Sequence, residues 1–248
     1  MAEESDPELS LRIRKEADGC ATRVDLMVGG KSASRLWLTH FTLHVGEALV
    51  RMDGVGGVGT DEAHRNKGYS RRVLQAAVEQ MAKGDASLSM LYGIRDFYPK
   101  FGYATAGPDH RVRLTDLERD SALPAGWSVR PIRAGDIPAV QALYERQAAR
   151  SVGAARRDPG GSVWAKLRKA AEGEGDDACR VVIGPDGACH GYLWRARWTW
   201  YVRNVLETDY KRALVLGEAM ADGPAAADAV LAASRIWARE EPARRKIA

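Results

Sequence analysis

The chain has 248 residues, of which 45% are hydrophobic and 28% charged, and its formal net charge is +4. This length allows one large domain or two of ordinary size, and the composition is typical of a soluble globular protein. No apolar run approaches the roughly 20 residues that span a bilayer, and the acidic start, Met1–Asp6, differs from a secretory signal. We therefore expect a cytoplasmic protein without a membrane partner. The modest, dispersed positive charge does not require a nucleic-acid partner.

The cysteines predict neither a disulfide nor a metal site. They are Cys20, Cys179 and Cys189. An odd, scattered set favours free thiols in a reducing compartment. A hairpin turn centred on Gly184–Gly187 places residue 189 opposite residue 182, so that a bridge to Cys179 is not expected. Cys189 and His190 are adjacent on a predicted strand and point to opposite faces, which makes them a poor metal pair.

The first part of the chain predicts strands joined by tight turns. They are Leu9–Arg14, Arg23–Val28, Ser34–Val45 and Ala48–Met52. In the third strand, Thr39 and Phe41 fall on one face, whereas Leu38 and His40 fall on the other. No helical period of useful length precedes Gly68.

A glycine-loosened strand, a short turn and an amphipathic helix follow, over residues 55–83. The apolar face of the helix consists of Val73, Leu74, Ala77, Val78 and Met81. The turn before the helix carries Arg65, Lys67, Gly68 and Arg71. The start of a helix offers unpaired N–H groups and a partial positive charge, and a glycine there lets a ligand approach the backbone. This arrangement suits a pyrophosphate.

Alternation and turn residues predict the remaining elements. In the first part these are a strand at Ser87–Tyr92, a helical turn at Asp96–Phe101, and closing strands at Tyr103–Ala106 and Arg111–Leu114. The polar segment 116–126 indicates a domain boundary. In the second part these are a strand and helix over 128–143, a helix at Ser162–Glu172, a hairpin of Arg180–Ile183 with Ala188–Trp194, a strand at Arg212–Leu216 and a helix at Pro224–Arg239. Asp136 is predicted as the N-cap of the first of these helices, with Pro138 in its first turn.

Two motifs resemble those of the GCN5-related N-acetyltransferase (GNAT) superfamily. Arg65-x-x-Gly68-x-Ser70 is similar to its coenzyme A motif, Arg/Gln-x-x-Gly-x-Gly/Ala, although Ser70 replaces the usual Gly or Ala. Phe97-Tyr98-x-x-x-Gly102-Tyr103 is similar to its Phe-Tyr-x-x-x-Gly-Phe/Tyr segment. The resemblance implies an α/β (α+β) fold with a mixed, mostly antiparallel central sheet flanked by helices. It also implies acetyl-CoA as cosubstrate and no metal.

The resemblance also implies which residues bind the cofactor. Main-chain groups of Val58, Gly59 and Thr60 would meet the thioester and the pantetheine arm. The residues that would surround the pyrophosphate are Arg65, Asn66, Lys67, Gly68, Tyr69, Ser70 and Arg71. The alternatives are that the glycines only mark a bulged strand and that single arginines are solvated, which is the interpretation we favour for Arg72.

Tyr98 is the residue that the resemblance implies for catalysis, as the acid that protonates the departing thiolate. The alternative is an aromatic ring packed under the cofactor. The general base is not identified, and deprotonation through ordered water is also open. The candidates near the site in the chain are His40, His44, Glu47, Asp53 and Glu62.

The second part predicts a structural copy of the first that does not bind the cofactor. Residues 217–224 have acids and a proline where the first part has a basic glycine turn. We expect a cofactor domain at 1–118 that lacks the usual first helices, a linker at 119–127, and a degenerate, incomplete domain at 128–248. This arrangement resembles tandem and Eis-like acetyltransferases without their C-terminal domain.

The favoured hypothesis is an N-acetyltransferase that transfers an acetyl group to an amine by direct attack in a ternary complex. The alternatives are a CoA-binding regulatory module without turnover and an interaction protein. The acceptor, a small molecule or a protein amine, is not specified by the sequence, and homo-oligomerisation is left open. An aromatic and basic strip over residues 194–203 is compatible with an acceptor wall, a nucleic-acid surface or, as we favour, a packed sheet face.

Overall fold

The computed structural model describes residues 8–93, 96–107, 112–114, 122–173, 178–196 and 214–240. They divide into two compact units. Unit 1 comprises Met1–Asp109 and Ser151–Arg156, and unit 2 comprises His110–Arg150 and Arg157–Ala248. No helix among the described residues is long and apolar enough to cross a membrane.

Unit 1 contains a six-stranded sheet and one long helix. Its strands are β1 (Leu9–Lys15), β2 (Ala21–Val28), β3 (Lys31–Val45), β4 (Ala48–Thr60), β5 (Leu88–Met90) and β7 (Ala155–Arg156), and its helix is α1 (Tyr69–Ala82). The sheet has the order β1-β2-β3-β4-β5, with β7 also paired to β3. Only the pairing of β4 with β5 is parallel.

The core of unit 1 lies between one face of this sheet and α1. Alternate residues of β2 and β3, such as Val24 and Leu38, are buried against Val73 and Leu74 of α1. The strands' period of two and the helix's period of 3.6 therefore bury matching apolar faces, as the sequence predicts. The described residues before Gly68 contain one 3₁₀ turn, Glu62–His64, and no α-helix.

The described residues of unit 2 form a four-stranded antiparallel sheet and three helices. Its strands are β6 (Ser128–Pro131), β8 (Cys179–Ile183), β9 (Cys189–Arg195) and β10 (Leu216–Ala221), and its helices are α2 (Ile137–Ala148), α3 (Ser162–Ala171) and α4 (Pro224–Glu240). The sheet order is β10-β9-β8-β6. Val182 and Leu193 of the sheet pack against Ala229, Ala233 and Trp237 of α4. The two units confirm a mixed α/β fold with mainly antiparallel sheets and flanking helices.

Three predicted strands are absent or wrong in position. Residues 103–106 and 112–114 form no strand, because the Tyr103 side chain turns towards β5 and hydrogen-bonds Ser89. The strand predicted at 212–216 instead runs over Leu216–Ala221, where Met220 and Ala221 pair with β9. The stretch that we interpreted as a turn is therefore mostly strand, and only residues 222–223 separate it from α4.

One local expectation needs correction, and another holds in part. Cys189 pairs with Ile183 rather than with residue 182, because a bulge interrupts the register between Val182 and Ile183. None of the three cysteines forms a disulfide. Asp136 is the N-cap residue of α2 and Pro138 lies in its first turn, as predicted, although the Asp136 side chain makes no capping hydrogen bond. Its carboxylate instead accepts hydrogen bonds from the Arg130 guanidinium and the Arg133 amide. Most of the predicted aromatic and basic strip, at residues 197–203, lies outside the described residues.

Candidate active site

Strands β4 and β5 separate after three paired residues. Their parallel pairing covers only Met52–Gly54 on β4 and Leu88–Met90 on β5. Beyond Gly54, β4 continues to Thr60 along β3 but has no strand on its other side within the part of the chain described here. We name this point, at the pairs Asp53–Ser89 and Gly54–Met90, the fork. The main-chain groups of Val58, Gly59 and Thr60 lie on the arm of the fork that β4 forms.

A bulge turns the backbone at this arm. The register between β3 and β4 shifts between Arg35 and Trp37, and Gly57 adopts a positive φ of 59°. A side chain at Gly57 would also meet the Trp37 ring, because a Cβ there would lie 2.9 Å from Cδ1. Glycine is therefore required at this position. The glycines mark a bulge, as our alternative interpretation stated, and the bulge lies within the segment that we predicted to meet the thioester.

The start of α1 offers a row of unpaired amides. Its first internal hydrogen bond runs from the Arg72 amide to the Gly68 carbonyl, 3.2 Å away, and the amides of residues 68–71 donate no hydrogen bond to any described residue. Gly68 has a φ of 75° and Asn66 a φ of 62°, so the chain turns sharply into the helix. Such a turn directs successive N–H groups outward and suits a phosphate.

Positive charge surrounds these amides. Arg65, Lys67 and Arg71 are exposed and form no ion pair with a described residue. Tyr69 and Ser70 are half-buried, and the Tyr69 ring lies 5.9 Å from that of His64. The three side chains can therefore pair with an anion at the helix start. Together with the amides of residues 68–71 they form a set of donors that fits a pyrophosphate.

Tyr98 lies in a 3₁₀ turn, Tyr98–Phe101, as predicted, and packs on the same core as the other site residues. Val58, Tyr69 and Tyr98 all contact the hydrophobic cluster beneath α1. The Tyr98 ring meets Phe97 edge-on at 5.1 Å between centroids and Tyr103 at 6.1 Å. Burial raises the pKa of the Tyr98 hydroxyl, and Tyr103 adds to the rise, so that it stays protonated at neutral pH. No described residue forms a hydrogen bond with this hydroxyl.

Tyr103 is tied to the fork. Its hydroxyl donates to Ser89 Oγ over 2.8 Å, and Ser89 donates in turn to the Asp53 carbonyl over 2.8 Å. Burial raises the pKa of Tyr103 as well. The Ser89 hydrogen bond opposes this rise, and the charge of Asp53 adds to it. The hydroxyl proton of Tyr103 is therefore engaged in the hydrogen bond to Ser89, whereas the hydroxyl of Tyr98 is not hydrogen-bonded to any described residue.

Two of the base candidates that the sequence named separately form a pair. His40 Nδ1 lies 2.6 Å from Asp53 Oδ1, and Thr22 Oγ1 lies 3.0 Å from His40 Nε2. The hairpin turn at residues 46–47 could have revealed this pair, because equal counts along both strands place His40 opposite Asp53. Ser89 was missed, and no sequence signal distinguishes it from other strand serines.

Unit 2 has a different chemistry at the corresponding strand, turn and helix. Between β10 and α4 the chain carries Asp222, whose carboxylate bonds His190 Nδ1 at 3.1 Å. Asp186 bonds the other ring nitrogen at 3.0 Å. An acidic pair that holds a histidine does not suit a phosphate. The described residues include no group of three His, Cys, Asp or Glu placed to hold a metal ion.

Comparisons with known proteins agree with this arrangement. The family model of the acetyltransferase (GNAT) domain matches residues 6–106. No curated protein matches the sequence significantly. Among solved structures, a GCN5-related N-acetyltransferase from Anabaena variabilis ATCC 29413 is 18% identical with a TM-score of 0.62, and 88% of this chain and 53% of that one are covered.

Two further structures show the same likeness. A GCN5-related N-acetyltransferase from Kribbella flavida is 20% identical with a TM-score of 0.60, over 88% of this chain and 51% of that one. Eis1 from Mycobacterium abscessus is 18% identical with a TM-score of 0.52, over 86% and 53%. The chain thus spans about half the length of the structures that it matches. Residues 6–106 match the acetyltransferase (GNAT) domain model, and the chain has the fold of the GCN5-related N-acetyltransferases.

Proposed function

We propose that the protein is an acetyl-CoA-dependent N-acetyltransferase that binds its cosubstrate in unit 1. The observation that carries the proposal is the row of unpaired amides at residues 68–71, because it lies beside three free cations and next to the open arm of β4. An anionic group at the helix start and an extended arm along β4 match the two ends of acetyl-CoA.

In this proposal, different residues bind the cofactor, align the thioester and donate the proton. Amides of Gly68–Arg71, with the side chains of Arg65 and Lys67, hold the pyrophosphate. Main-chain groups of Val58, Gly59 and Thr60 align the pantetheine arm and the thioester. An amine attacks the thioester carbonyl directly in a ternary complex, and the C–S bond breaks. Tyr98 donates its proton to the departing thiolate.

Unit 2 is proposed as a structural, degenerate copy of this domain. The turn between its β10 and α4 carries Asp222, bonded to His190 of β9, in place of cations, which supports one cofactor per chain. The domain limits 1–118, 119–127 and 128–248 remain our proposal. The acceptor class, a small-molecule or protein amine, also remains part of the proposal.

Calorimetric titration with acetyl-CoA and a thiol-release assay test this function. The assay uses spermidine, an aminoglycoside and a lysine peptide as acceptors. We expect one acetyl-CoA per chain and thiol release with at least one amine. Tyr98→Phe should lower kcat by about 100-fold with the Kd for acetyl-CoA unchanged, because the ring remains and only its proton is lost.

The same measurements separate the alternatives. Tight binding of acetyl-CoA without turnover for any amine would indicate a regulatory module that keeps the pocket. Failure to bind acetyl-CoA would contradict the proposal. An unchanged kcat in Tyr98→Phe would leave the function intact but remove Tyr98 as the acid.

A further inference from the structure

A polar cluster lies within the apolar face of the unit 1 sheet. His40 and Asp53 stand directly opposite each other on β3 and β4, and Leu38 and Val55 form the next pair but one in the same ladder. Side chains two residues apart share a face, so that the His40–Asp53 pair continues the face that packs under α1. Leu38 and Val55 are buried in the core of unit 1.

Burial of the His40–Asp53 pair costs free energy, and structural stability alone does not explain why these residues are present. Only 11% of the Asp53 side chain and 29% of the His40 side chain are exposed, and Thr22 is 1% exposed. A carboxylate removed from water needs charge and hydrogen-bond partners, whereas the neighbouring apolar pair needs none. The ladder itself therefore does not require a histidine and an aspartate at this register.

The position of the pair connects it to the proposed chemistry. Asp53 forms one side of the fork, and its main-chain carbonyl accepts the Ser89 hydroxyl that in turn holds Tyr103. The Asp53 carboxylate is close enough to raise the pKa of Tyr103, whose ring contacts that of Tyr98. The histidine pair is thus connected to the fork through Asp53 on β4, and the proposed acid through Tyr103, which is hydrogen-bonded to Ser89 on β5.

We propose that His40, oriented by Asp53, is the proton acceptor for the attacking amine, an inference that rests on the proposed function. Nδ1–H donates to the Asp53 carboxylate, which leaves the lone pair on Nε2, where the Thr22 hydroxyl donates in the resting state. Asp53 from β4 and Thr22 from β2 thus face the ring. This is the acid–histidine orientation that acyl-transfer enzymes use on unrelated folds.

The step is balanced in atoms and electrons. The amine replaces Thr22 as the partner of Nε2 and transfers one proton to it as the C–N bond forms. The C–S bond breaks, its electron pair stays on sulfur, and the thiolate takes the Tyr98 proton. Water then removes the proton from His40 and supplies one to Tyr98. Asp53 is a positioning residue, since it acts through the ring and contacts no reacting atom.

The test measures kcat against pH for the wild type and for His40→Gln, with the most active amine of the acceptor panel. We expect kcat to fall by about 100-fold and the limb that falls towards acid pH to disappear, with the Kd for acetyl-CoA unchanged. His44→Gln is the matched control, because His44 lies on the same face of β3 and has no carboxylate against its ring among the described residues.

Asp53→Asn supplies an independent variant should His40→Gln fail to fold. It keeps the histidine but removes the carboxylate that orients the ring, so that kcat should fall while the acid limb remains. Imidazole nitrogen shifts in the wild type should show a proton on Nδ1. A folded His40→Gln that keeps both kcat and the acid limb would overturn this inference but not the proposed function. A wild type that binds acetyl-CoA but acetylates no amine would overturn both.

Discussion

Gly93→Ala would displace the Tyr98 ring without changing Tyr98 itself. A Cβ at residue 93 would lie 2.6 Å from Leu91 Cδ1 and closer still to Cδ2 and Cε2 of Tyr98, whereas ordinary contact begins at 3.4 Å. The backbone at Gly93 has no positive φ, so the conflict lies in the side chains. Relief requires the ring to move by about 1 Å. A shift of that size at a reacting group costs about 100-fold in kcat, or about 2.7 kcal/mol.

Thiol-release kinetics and acetyl-CoA titration together measure the effect. We expect Gly93→Ala to lower kcat and to leave the Kd for acetyl-CoA unchanged. The double variant Gly93→Ala/Tyr98→Phe should be no slower than Tyr98→Phe, because both changes act on one hydroxyl. Gly107→Ala is the control, since a Cβ there would have no atom within 4 Å. An unchanged kcat in folded Gly93→Ala would refute the reasoning, as would full additivity in the double variant.

Three other predictions concern the cofactor turn and unit 2. Changing Arg65 and Lys67 to Gln should weaken acetyl-CoA binding several-fold at low salt and less at high salt, whereas Arg72→Gln should have little effect; titration at two ionic strengths checks this. Glu218→Ala should destabilise unit 2 by about 3 kcal/mol in urea unfolding, because Arg157 would remain largely buried between Tyr144 and Trp164 without its carboxylate. The double variant Arg157→Met/Glu218→Leu should recover much of that loss. The hydrogen bonds that His190 donates to Asp186, and then to Asp222, raise the pKa of His190 despite partial desolvation, with Arg146 3.8 Å from Asp222. The stabilisation of the folded state by protonated His190 is therefore complete below the unfolded histidine pKa of about 6.5. It is lost as pH rises through the higher pKa of the folded state. Melting temperatures between pH 6 and pH 9 should fall more for the wild type than for His190→Gln, and parallel curves would contradict the assignment.

The elements that sequence reasoning found correctly are those with a local cause. The apolar stripe of α1 and the alternation in β3 each reflect burial on one face, so a period in the sequence is enough to predict them. The turn before α1 is similarly local, because a positive φ at Gly68 and the amides after it belong to one short segment; its role in cofactor binding stays a prediction.

The elements that it missed depend on contacts between distant segments. Residues 103–106 alternate weakly, and the hydrogen bond of Tyr103 to Ser89 decides their path. Two bulges, at Leu36 and after Val182, change registers that simple counting would continue. His40 and Asp53 were each recognised as titratable, but their pairing requires the register of the β3–β4 hairpin, which composition does not contain.

Strand β7 makes the completion of the unit 1 sheet depend on residues that are synthesised late. β2 pairs with β3 only as far as Thr39, and β7 occupies the same edge of β3 further on, at Thr42 and Leu43. These partners lie more than 110 residues apart in the chain. A ribosome must therefore deliver residue 156, well inside the second half, before the first sheet has all its strands. A fragment that ended near residue 118 would present an open strand edge, which is a template for association with other chains.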